Sequence, residues 1–375
     1  MNSLLYWQEN QQTHQARWLS DSRHPAPTKL SAKQQISADA ALKLIHQQTA
    51  IIWRGDYHQG KQLLAAIKKR IRDKAKITPD FHRYRLQQLQ HSRLFQMLLV
   101  VIEPNFKITN PRAPVIEQAM SEVFGIPNQE AILVPLHLLL GYIGAHEWHK
   151  KGVTIEALQQ RKIHVPFGVF SPLRGEYLSL VATAPLPAKV HTGWDIGTGS
   201  GVLAAILAQR GVTQVIGTDT NLRAIACART NIQQLGYTKQ VTIMHTDLFP
   251  AEGKADLIVC NPPWLPTKAS NDIEAALYDP QHTMLRLFLQ QVRSRLQTNG
   301  QVWLIMSDLA EHLNLRTTDA LLQWIDEAGL KVMNKIDTRP QHSKAMNSTN
   351  ALAHARQQEV TSLWQLIARD NNEKH

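Results

Sequence analysis

The sequence predicts an α/β fold with an open, mostly parallel sheet in its second half, preceded by a helical, basic domain. Short apolar strands alternate with helical segments after about residue 163, and several of these strands end in glycine or a polar side chain. Residues 1–125 are polar and rich in glutamine, a pattern typical of helices, and the first clear helix is expected at Ala38–Gln48. With 375 residues, the chain is long enough for two domains.

The N-terminal domain carries most of the positive charge. Lys and Arg exceed Asp and Glu by 11 in the whole chain, and residues 54–93 alone contain eleven basic and three acidic residues. A surface of this kind suits a polyanionic partner such as RNA, DNA or the ribosome, although a solvated helix face explains the same pattern. The residues predicted to contact such a partner are Lys68, Lys69, Arg70, Arg72, Lys74 and Lys76.

Several classes of protein are disfavoured by the composition. Cys227 and Cys260 are far apart and have no CxxC partner, so neither a disulfide framework nor a thiolate metal site is expected, and a reducing cytoplasm fits. The N-terminus lacks the basic start and long apolar run of a secretory signal. The most apolar segment, 131–144, is shorter than the roughly 20 residues of a membrane span and is interpreted as a buried helix.

The domain hinge is placed in or just after the proline-bearing passage 110–127. This placement gives an N-terminal domain at 1–125, a connecting helix and strand at 126–172, and an α/β core at 173–375. A metal site at His146, Glu147 and His149 is not expected, because the zinc helix motif needs histidines four residues apart and these are three apart.

The α/β core contains a glycine turn, Trp-Asp-Ile-Gly-Thr-Gly-Ser-Gly at 194–201, between a strand and an apolar helix. A dinucleotide fingerprint needs its third glycine three residues after the second, where this chain has Val202. The pattern Asp-x-Gly-x-Gly-x-Gly instead resembles the S-adenosylmethionine-dependent methyltransferases of the Rossmann-like class, although a plain tight turn is the alternative for the motif alone. The cofactor-binding residues that this resemblance implies are Asp195, Gly197, Thr198, Gly199 and Gly201.

Two acidic residues follow the next two strands. Asp219 ends the strand 214–219, where its carboxylate can accept hydrogen bonds from both ribose hydroxyls; an N-cap for the next helix is the alternative. Asp247 follows the strand 241–244. The resemblance implies that Asp247 binds the adenine amino group, and Leu248 beside it is also a cofactor-binding candidate.

The fourth motif, Asn261-Pro262-Pro263-Trp264, follows a buried strand at 255–260. The prolines restrict the backbone so that the Asn261 side-chain oxygen and the Pro262 carbonyl can face one spot, which suits a planar nitrogen with two hydrogens. Trp264 offers a flat face for stacking. The motif resembles the Asn/Asp-Pro-Pro-aromatic signature of methyltransferases that act on exocyclic base nitrogens and on glutamine amides, in which Tyr or Phe commonly takes the fourth position.

Upstream of the glycine turn, residues 163–170 alternate as a strand and lead into Gly-Val-Phe-Ser at 168–171 and a proline turn. This segment resembles the one that precedes the core in small-domain ribosomal RNA guanine methyltransferases and, less closely, in release-factor glutamine methyltransferases. Because it flanks the cofactor pocket in both families, the resemblance implies Phe170 and Arg174 as pocket residues, and a purely structural turn is the alternative.

The remaining segments fit a Rossmann-like seven-stranded methyltransferase core. Helices are expected at 284–296 and 320–328, and strands at 301–306, 331–337 and 360–367, the last two as an antiparallel edge hairpin. The basic connection at 339–344 is interpreted as a surface loop or a recognition loop.

The residues together predict a class I N-methyltransferase that uses S-adenosyl-L-methionine. A nucleic-acid amine, RNA above all, is favoured as acceptor by the basic N-terminal region. A protein glutamine on a translation factor or ribosomal protein is the alternative, favoured by the proline turn and by a helical domain placed first. A non-catalytic RNA- or ribosome-binding module is a third hypothesis, against which the intact Asn-Pro-Pro-Trp motif argues.

Overall fold

The computed structural model describes residues 3–22, 24–75, 78, 80–173, 175–269, 274, 276–339 and 351–369. The chain forms two compact units, Met1–Glu147 and Trp148–His375. Their boundary lies within the predicted connecting segment 126–172. Each unit has its own seven-stranded sheet.

The N-terminal unit is itself α/β, so the prediction of a helical domain is wrong. Its sheet has the order β1-β2-β7-β5-β4-β3, with β6 paired to β5. The strands are β1 (Leu4–Glu9), β2 (Gln12–Trp18), β3 (Lys29–Lys33), β4 (Thr49–Trp53), β5 (Leu98–Glu103), β6 (Lys107–Ile108) and β7 (Ile132–Pro135). The helices are α1 (Ala38–His46), α2 (Tyr57–Asp73), α3 (Phe81–Phe95), α4 (Glu117–Phe124) and α5 (Leu136–Lys151).

The physical reason for this error lies in the strands themselves. Strands β4 and β5 are short runs of mostly buried apolar residues, and such runs cannot be told from buried helix segments by periodicity. The β1–β2 hairpin turns at Asn10 and Gln11, both at positive φ (50° and 64°), without the Asn-Gly signal that usually marks this turn. The predicted buried helix at 131–144 is likewise β7 followed by the first part of α5.

Helix α2 carries the basic residues on an amphipathic frame. The Asp56 carboxylate caps its first turn by accepting from the His58 and Gln59 N–H groups. The face made by Leu63, Leu64, Ile67 and Ile71 is buried, and the charged residues take the remaining positions. Among the described residues, no helix is long and apolar enough to cross a membrane.

The C-terminal unit has the predicted seven-stranded core, with the order β12-β11-β10-β13-β14-β16-β15. Its strands are β8 (Val153–Ile155) and β9 (Arg161–Ile163), which form a separate hairpin, then β10 (Thr192–Ile196), β11 (Gln214–Asp219), β12 (Val241–His245), β13 (Ala255–Cys260), β14 (Leu296–Ser307), β15 (Leu330–Thr338) and β16 (Thr361–Ala368). Its helices are α6 (Glu176–Thr183), α7 (Val202–Gln209), α8 (Leu222–Gln234), α9 (Thr283–Val292), α10 (Leu309–His312), α11 (Ala320–Glu327) and α12 (Ala351–Gln358).

Strands β10 to β14 are parallel, and β16 is antiparallel to β14 and β15, as expected for the last two strands. Alternate residues of β13 enter two apolar clusters: Leu257 and Val259 join one, and Ile258 and Cys260 join the other. Because successive strand residues point to opposite faces, both faces of the sheet are covered. The chain leaves β10 towards β11 and later returns to β13 on its other side, which creates a switch point between β10 and β13.

One predicted strand of this unit is wrong. Residues 163–170 were expected to be extended, but β9 ends at Ile163 and the segment that follows is a loop. Pro166 has no N–H to donate to a ladder, and Gly168 has a φ of 85°, so neither residue suits a strand interior.

Candidate cofactor and acceptor site

The four motifs predicted from the sequence lie along one edge of the C-terminal sheet. Ile196, the last residue of β10, pairs with Thr218 on one side and with Cys260 on the other. The glycine turn, Asp219 and Asn261 therefore follow neighbouring strands in one row. Open parallel sheets bind ligands at this edge, at the point where the strand order reverses.

The three glycines of the turn have different physical roles. All three have positive φ, at 73°, 54° and 80° for Gly197, Gly199 and Gly201. A Cβ on Gly197 or Gly199 would meet no heavy atom closer than 3.9 Å, so space is open above the turn. A Cβ on Gly201 would lie 3.1 Å from the Cα and Cβ of Ala228 on α8. The first two glycines thus leave the main chain accessible, and the third allows close helix packing.

Asp195 is buried behind the turn. Its Oδ2 accepts from Thr198 Oγ1 (2.6 Å) and from the Ala204 N–H (3.0 Å), which joins the end of β10 to the first turn of α7. Its Oδ1 is buried without a hydrogen-bond partner among the described residues. Burial raises the pKa of Asp195 to about 6, opposed by those two hydrogen bonds and reinforced by the negative charge of Asp219.

Asp219 connects the turn to the next helix. Its Oδ2 accepts from the Gly199 N–H (3.0 Å) and its Oδ1 accepts from the Asn221 N–H (2.8 Å). The residue is half-buried, and each carboxylate oxygen can accept a further hydrogen bond. Asn221, not Asp219, caps α8 by accepting from the Arg223 N–H, so the N-cap alternative for Asp219 is wrong.

At the third motif, which follows β12, the two neighbouring candidates Asp247 and Leu248 differ in exposure and in hydrogen bonding. Asp247 is exposed, and its carboxylate has no hydrogen-bond partner among the described residues. Leu248 is buried at a φ of 53°, uncommon for a residue other than glycine, and its carbonyl accepts from Thr218 Oγ1 (2.6 Å). Leu248 thereby fixes the backbone next to the free Asp247 carboxylate.

In the fourth motif, 261–264, two side chains are joined by a hydrogen bond. The Trp264 indole Nε1–H donates to Asn261 Oδ1 (3.1 Å), and the indole packs against both apolar clusters of the sheet. Pro262 is buried, and within the described part of the chain no N–H donates to its carbonyl oxygen. Amide oxygens have two lone pairs, so Asn261 Oδ1 and the Pro262 carbonyl both retain acceptor capacity.

The loop that precedes the glycine turn, around Gly168, lies beside the second motif at Asp219. The Asn221 Nδ2 amide donates to the Gly168 carbonyl (3.3 Å), and a Cβ on Gly168 would lie 2.8 Å from an Arg223 guanidinium nitrogen. Phe170, two residues later, is half-buried. Arg174 lies outside the described residues. The roles of both in the pocket stay predictions.

Sequence reasoning missed three residues near the turn. The Met284 Cε is the nearest heavy atom to the Cβ position of Gly197, and Met284 is held by Asp279, whose carboxylate accepts from the Met284 (3.0 Å) and Leu285 (3.1 Å) N–H groups at the start of α9. Burial raises the pKa of the Tyr177 hydroxyl, and the negative charge of Asp195 raises it further. Asp279-Pro280 before an apolar helix is a start signal that could have marked Asp279.

The other predicted positions lie away from this edge. The predicted partner residues Lys68, Lys69, Arg70 and Arg72 are on α2, and Lys74 is at its C-terminal end, whereas Lys76 lies outside the described residues. His146 Nδ1 contacts Glu122 Oε2 (2.7 Å). The described residues contain no cluster of three or more His, Cys, Asp or Glu side chains suited to a metal ion.

A comparison with protein families matches part of this unit to a known domain. Residues 160–323 match the methyltransferase small domain. The matched segment contains the turn, Asp219, Asp247 and Asn261. The predicted Rossmann-like methyltransferase fold of this core is thus confirmed over that segment, which is less than half of the chain.

Individual relatives of this methyltransferase domain act on different acceptors. The chain is 28% identical over 172 residues to the ribosomal protein uL3 glutamine methyltransferase of Neisseria gonorrhoeae, covering 45% of this chain and 55% of the relative. It is 32% identical over 133 residues to the tRNA1(Val) (adenine(37)-N6)-methyltransferase of Cytophaga hutchinsonii, covering 34% and 56%. The chain spans about half the length of these curated relatives. Among solved structures, the ribosomal protein L11 methylase of Lactobacillus delbrueckii subsp. bulgaricus has a TM-score of 0.39 and 20% identity, covering 56% of this chain and 87% of that one.

Proposed function

We propose that this protein is an S-adenosyl-L-methionine-dependent N-methyltransferase whose acceptor is a planar amino or amide nitrogen on RNA or another nucleic acid. The observation that carries the proposal is the pairing of Ile196 with Cys260, which places Asn261 beside the glycine turn. Both named relatives above methylate planar nitrogens, one in adenine and one in glutamine. Their similarity supports the reaction and leaves the acceptor to be decided by experiment.

The residues of the turn fit the cofactor. The open space over Gly197 and Gly199 permits a ligand to approach the main chain, and the unpartnered Oδ1 of Asp195 is a buried acceptor behind it. Asp219 would hold the ribose hydroxyls and Asp247 the adenine amino group, with Leu248 fixing the backbone beside it. S-adenosyl-L-methionine supplies an electrophilic methyl group bound to a sulfonium sulfur.

The fourth motif, 261–264, would orient the acceptor nitrogen. Asn261 Oδ1 and the Pro262 carbonyl would accept its two hydrogens, which draws the lone pair out of conjugation and stabilises the positive charge that develops on the nitrogen. Little help from a strong base is needed when the leaving group is a neutral thioether. Orientation is then the main contribution of the chain, and orientation can supply several kcal/mol. Trp264 would fix the plane of the acceptor.

A protein glutamine is the second candidate acceptor. The uL3 glutamine methyltransferase alignment, at 172 residues, is longer than the 133-residue alignment with the tRNA enzyme. The order of domains no longer supports this candidate, because the N-terminal unit is not helical. The basic face of α2 supports nucleic acid.

A reducing cytoplasm is proposed as the location on the basis of the two cysteines. Cys227 and Cys260 are both buried, free thiols. Burial raises the pKa of Cys227 to about 12, which keeps its thiol protonated and unreactive.

Two substitutions separate the proposed roles. Asn261→Ala is expected to lose turnover while the Kd for S-adenosyl-L-methionine changes little, because Asn261 faces the acceptor. Asp219→Ala is expected to weaken the cofactor, because it removes the ribose acceptor and the bond to the Gly199 N–H. Calorimetric titration and single-turnover methyl transfer measure both. Undiminished turnover in Asn261→Ala would contradict the assignment.

The acceptor class follows from labelled S-adenosyl-L-methionine incubated with fractionated lysate. Label that is sensitive to ribonuclease supports the proposed RNA acceptor, and label that is sensitive to protease supports glutamine. Asn261→Ala is the control for label introduced by other enzymes. No label in any fraction would favour a non-catalytic binding module.

A further inference from the structure

Four basic side chains surround one buried aromatic ring in the N-terminal unit. Lys68 Nζ and Arg72 Cζ on α2 lie 5.4 Å and 5.8 Å from the centroid of Phe95 on α3. The rings of His91 and His137, on α3 and α5, have centroids 6.0 Å and 5.9 Å from that of Phe95. We call Lys68, Arg72, His91, His137 and Phe95 the Phe95 cluster.

The cations of the Phe95 cluster have no carboxylate partner among the described residues. Lys68 Nζ donates to His137 Nδ1 (2.8 Å), which leaves Lys68 two further donors and keeps the His137 ring neutral. By contrast Arg70, on the same helix, forms a two-point ion pair with Asp39 (2.8 Å and 3.3 Å). The Phe95 cluster is therefore a local positive charge that the fold does not neutralise.

The positively charged groups of the Phe95 cluster repel one another. Burial, followed by the charges of Lys68 and Arg72, lowers the pKa of His137 to about 4. Burial and the charge of Arg72 also lower the pKa of Lys68 and of His91. An anion placed among these groups would relieve the repulsion between Lys68 and Arg72 and favour protonation of His91.

We propose that the Phe95 cluster binds a phosphate group of a nucleic-acid strand, and the identity of the macromolecule rests on the proposed function. Arg72 offers a fork of N–H donors and Lys68 a point charge, which together suit the several acceptor oxygens of a phosphate. Arg72 is exposed and Lys68 and the histidines are half-buried, so an anion can reach them. Phe95, 6% exposed, forms an apolar floor under the charged groups.

The chain offers a charge-matched pair of double variants for the test. Lys68→Gln with Arg72→Gln removes two charges from the Phe95 cluster, and Lys69→Gln with Lys74→Gln removes two exposed charges from the same helix. Thermal unfolding of both full-length variants checks that the fold is intact. A difference in binding between them then reports position and not total charge.

Inorganic phosphate is the first probe. In the full-length protein, titration with phosphate should shift the imidazole nitrogen resonances of His91 and His137 along a saturable curve. The shift should be lost in Lys68→Gln/Arg72→Gln and kept in Lys69→Gln/Lys74→Gln. A shift that does not saturate, or that both variants lose equally, would overturn the site.

Single-stranded RNA at a series of salt concentrations is the second probe. Loss of one phosphate contact should lower affinity several-fold in Lys68→Gln/Arg72→Gln and reduce the slope of log K against log salt by about 1. The control variant should lose clearly less. Equal losses would indicate diffuse surface charge, and displacement of RNA by polyglutamate at equal charge would indicate an acidic protein; either result overturns the phosphate assignment.

These measurements are independent of methyl transfer. If phosphate and RNA bind the Phe95 cluster while label from S-adenosyl-L-methionine enters protein, the proposed acceptor fails and the phosphate site stands. If RNA is labelled and the two double variants bind phosphate and RNA alike, the phosphate site fails and the proposed function stands.

Discussion

At the scale of single residues, the hydrogen bond between Trp264 and Asn261 determines how the fourth motif, 261–264, presents its amide oxygen. An indole nitrogen is a donor only, so it must face the amide oxygen and not the amide nitrogen of Asn261. The bond therefore fixes the orientation of the Asn261 amide before an acceptor binds. Tyr or Phe at this position has no ring N–H, which distinguishes this chain from the common form of the motif.

This geometry predicts the effect of Trp264→Phe. The substitution keeps an aromatic ring and removes the donor, so the Asn261 amide is free to rotate. A lost hydrogen bond of about 0.5–1.5 kcal/mol corresponds to a roughly two- to tenfold fall in kcat. The Kd for S-adenosyl-L-methionine should not change, because Trp264 lies at the acceptor side of the row.

Steady-state kinetics with the acceptor that the labelling experiment identifies provide the measurement. Trp148→Phe is the matched control, since Trp148 is 54% exposed at the end of α5 and its ring faces Lys151 Nζ at 5.2 Å. A rise in KM at unchanged kcat would show instead that Trp264 acts only as a stacking surface.

At the scale of elements, the packing of α8 against the glycine turn explains why Gly201 is glycine. Gly201→Ala places a Cβ 3.1 Å from Ala228 and also puts alanine at a φ of 80°. Gly211 has a similar φ, 95°, with no heavy atom near its Cβ position, so Gly211→Ala isolates the backbone strain. Strain alone costs on the order of 1–3 kcal/mol.

We expect Gly201→Ala to lower the free energy of unfolding more than Gly211→Ala, and only the former to weaken S-adenosyl-L-methionine binding. Urea denaturation and calorimetric titration of the two variants test this. Equal loss of stability would mean that α8 shifts at little cost, and the close packing assigned to Gly201 would then be wrong.

The same scale shows which elements could be predicted from the sequence. Strands β10 to β13 each end in a motif with its own chemistry, so their direction and common edge could be inferred together. Strands β4 and β5 end in no such motif. Helices α2 and α3, which lie between these two strands in the chain, gave the segment its polar, helical pattern. The Trp264–Asn261 bond and the Phe95 cluster depend on side chains from distant or turning segments, which periodicity does not bring together.

At the scale of the whole molecule, all proposed cofactor contacts belong to the unit Trp148–His375, and the Phe95 cluster belongs to Met1–Glu147. A ligand that binds only the native state stabilises the part of the molecule that holds its site by RT ln(1 + [L]/Kd). The two units should therefore respond separately to their two ligands.

Amide hydrogen exchange of the full-length protein can show whether the two units respond separately to their ligands. At 100 times the Kd of S-adenosyl-L-methionine, segments of the C-terminal unit that exchange through its unfolding should slow by about 100-fold, equivalent to about 2.7 kcal/mol. The segments 194–201, 217–221, 245–249 and 261–264 should show additional local protection. Strands β3 to β5 should exchange at unchanged rates, because no proposed cofactor contact lies in their unit.

Asp219→Ala at the same cofactor concentration is the control, since its weakened binding should abolish the protection in all four segments together. Single-stranded RNA should instead slow exchange at α2 and α3, around the Phe95 cluster. Cofactor-induced protection that spreads evenly over β3 to β5 would contradict this independence, because it would require the two units to unfold as one cooperative body.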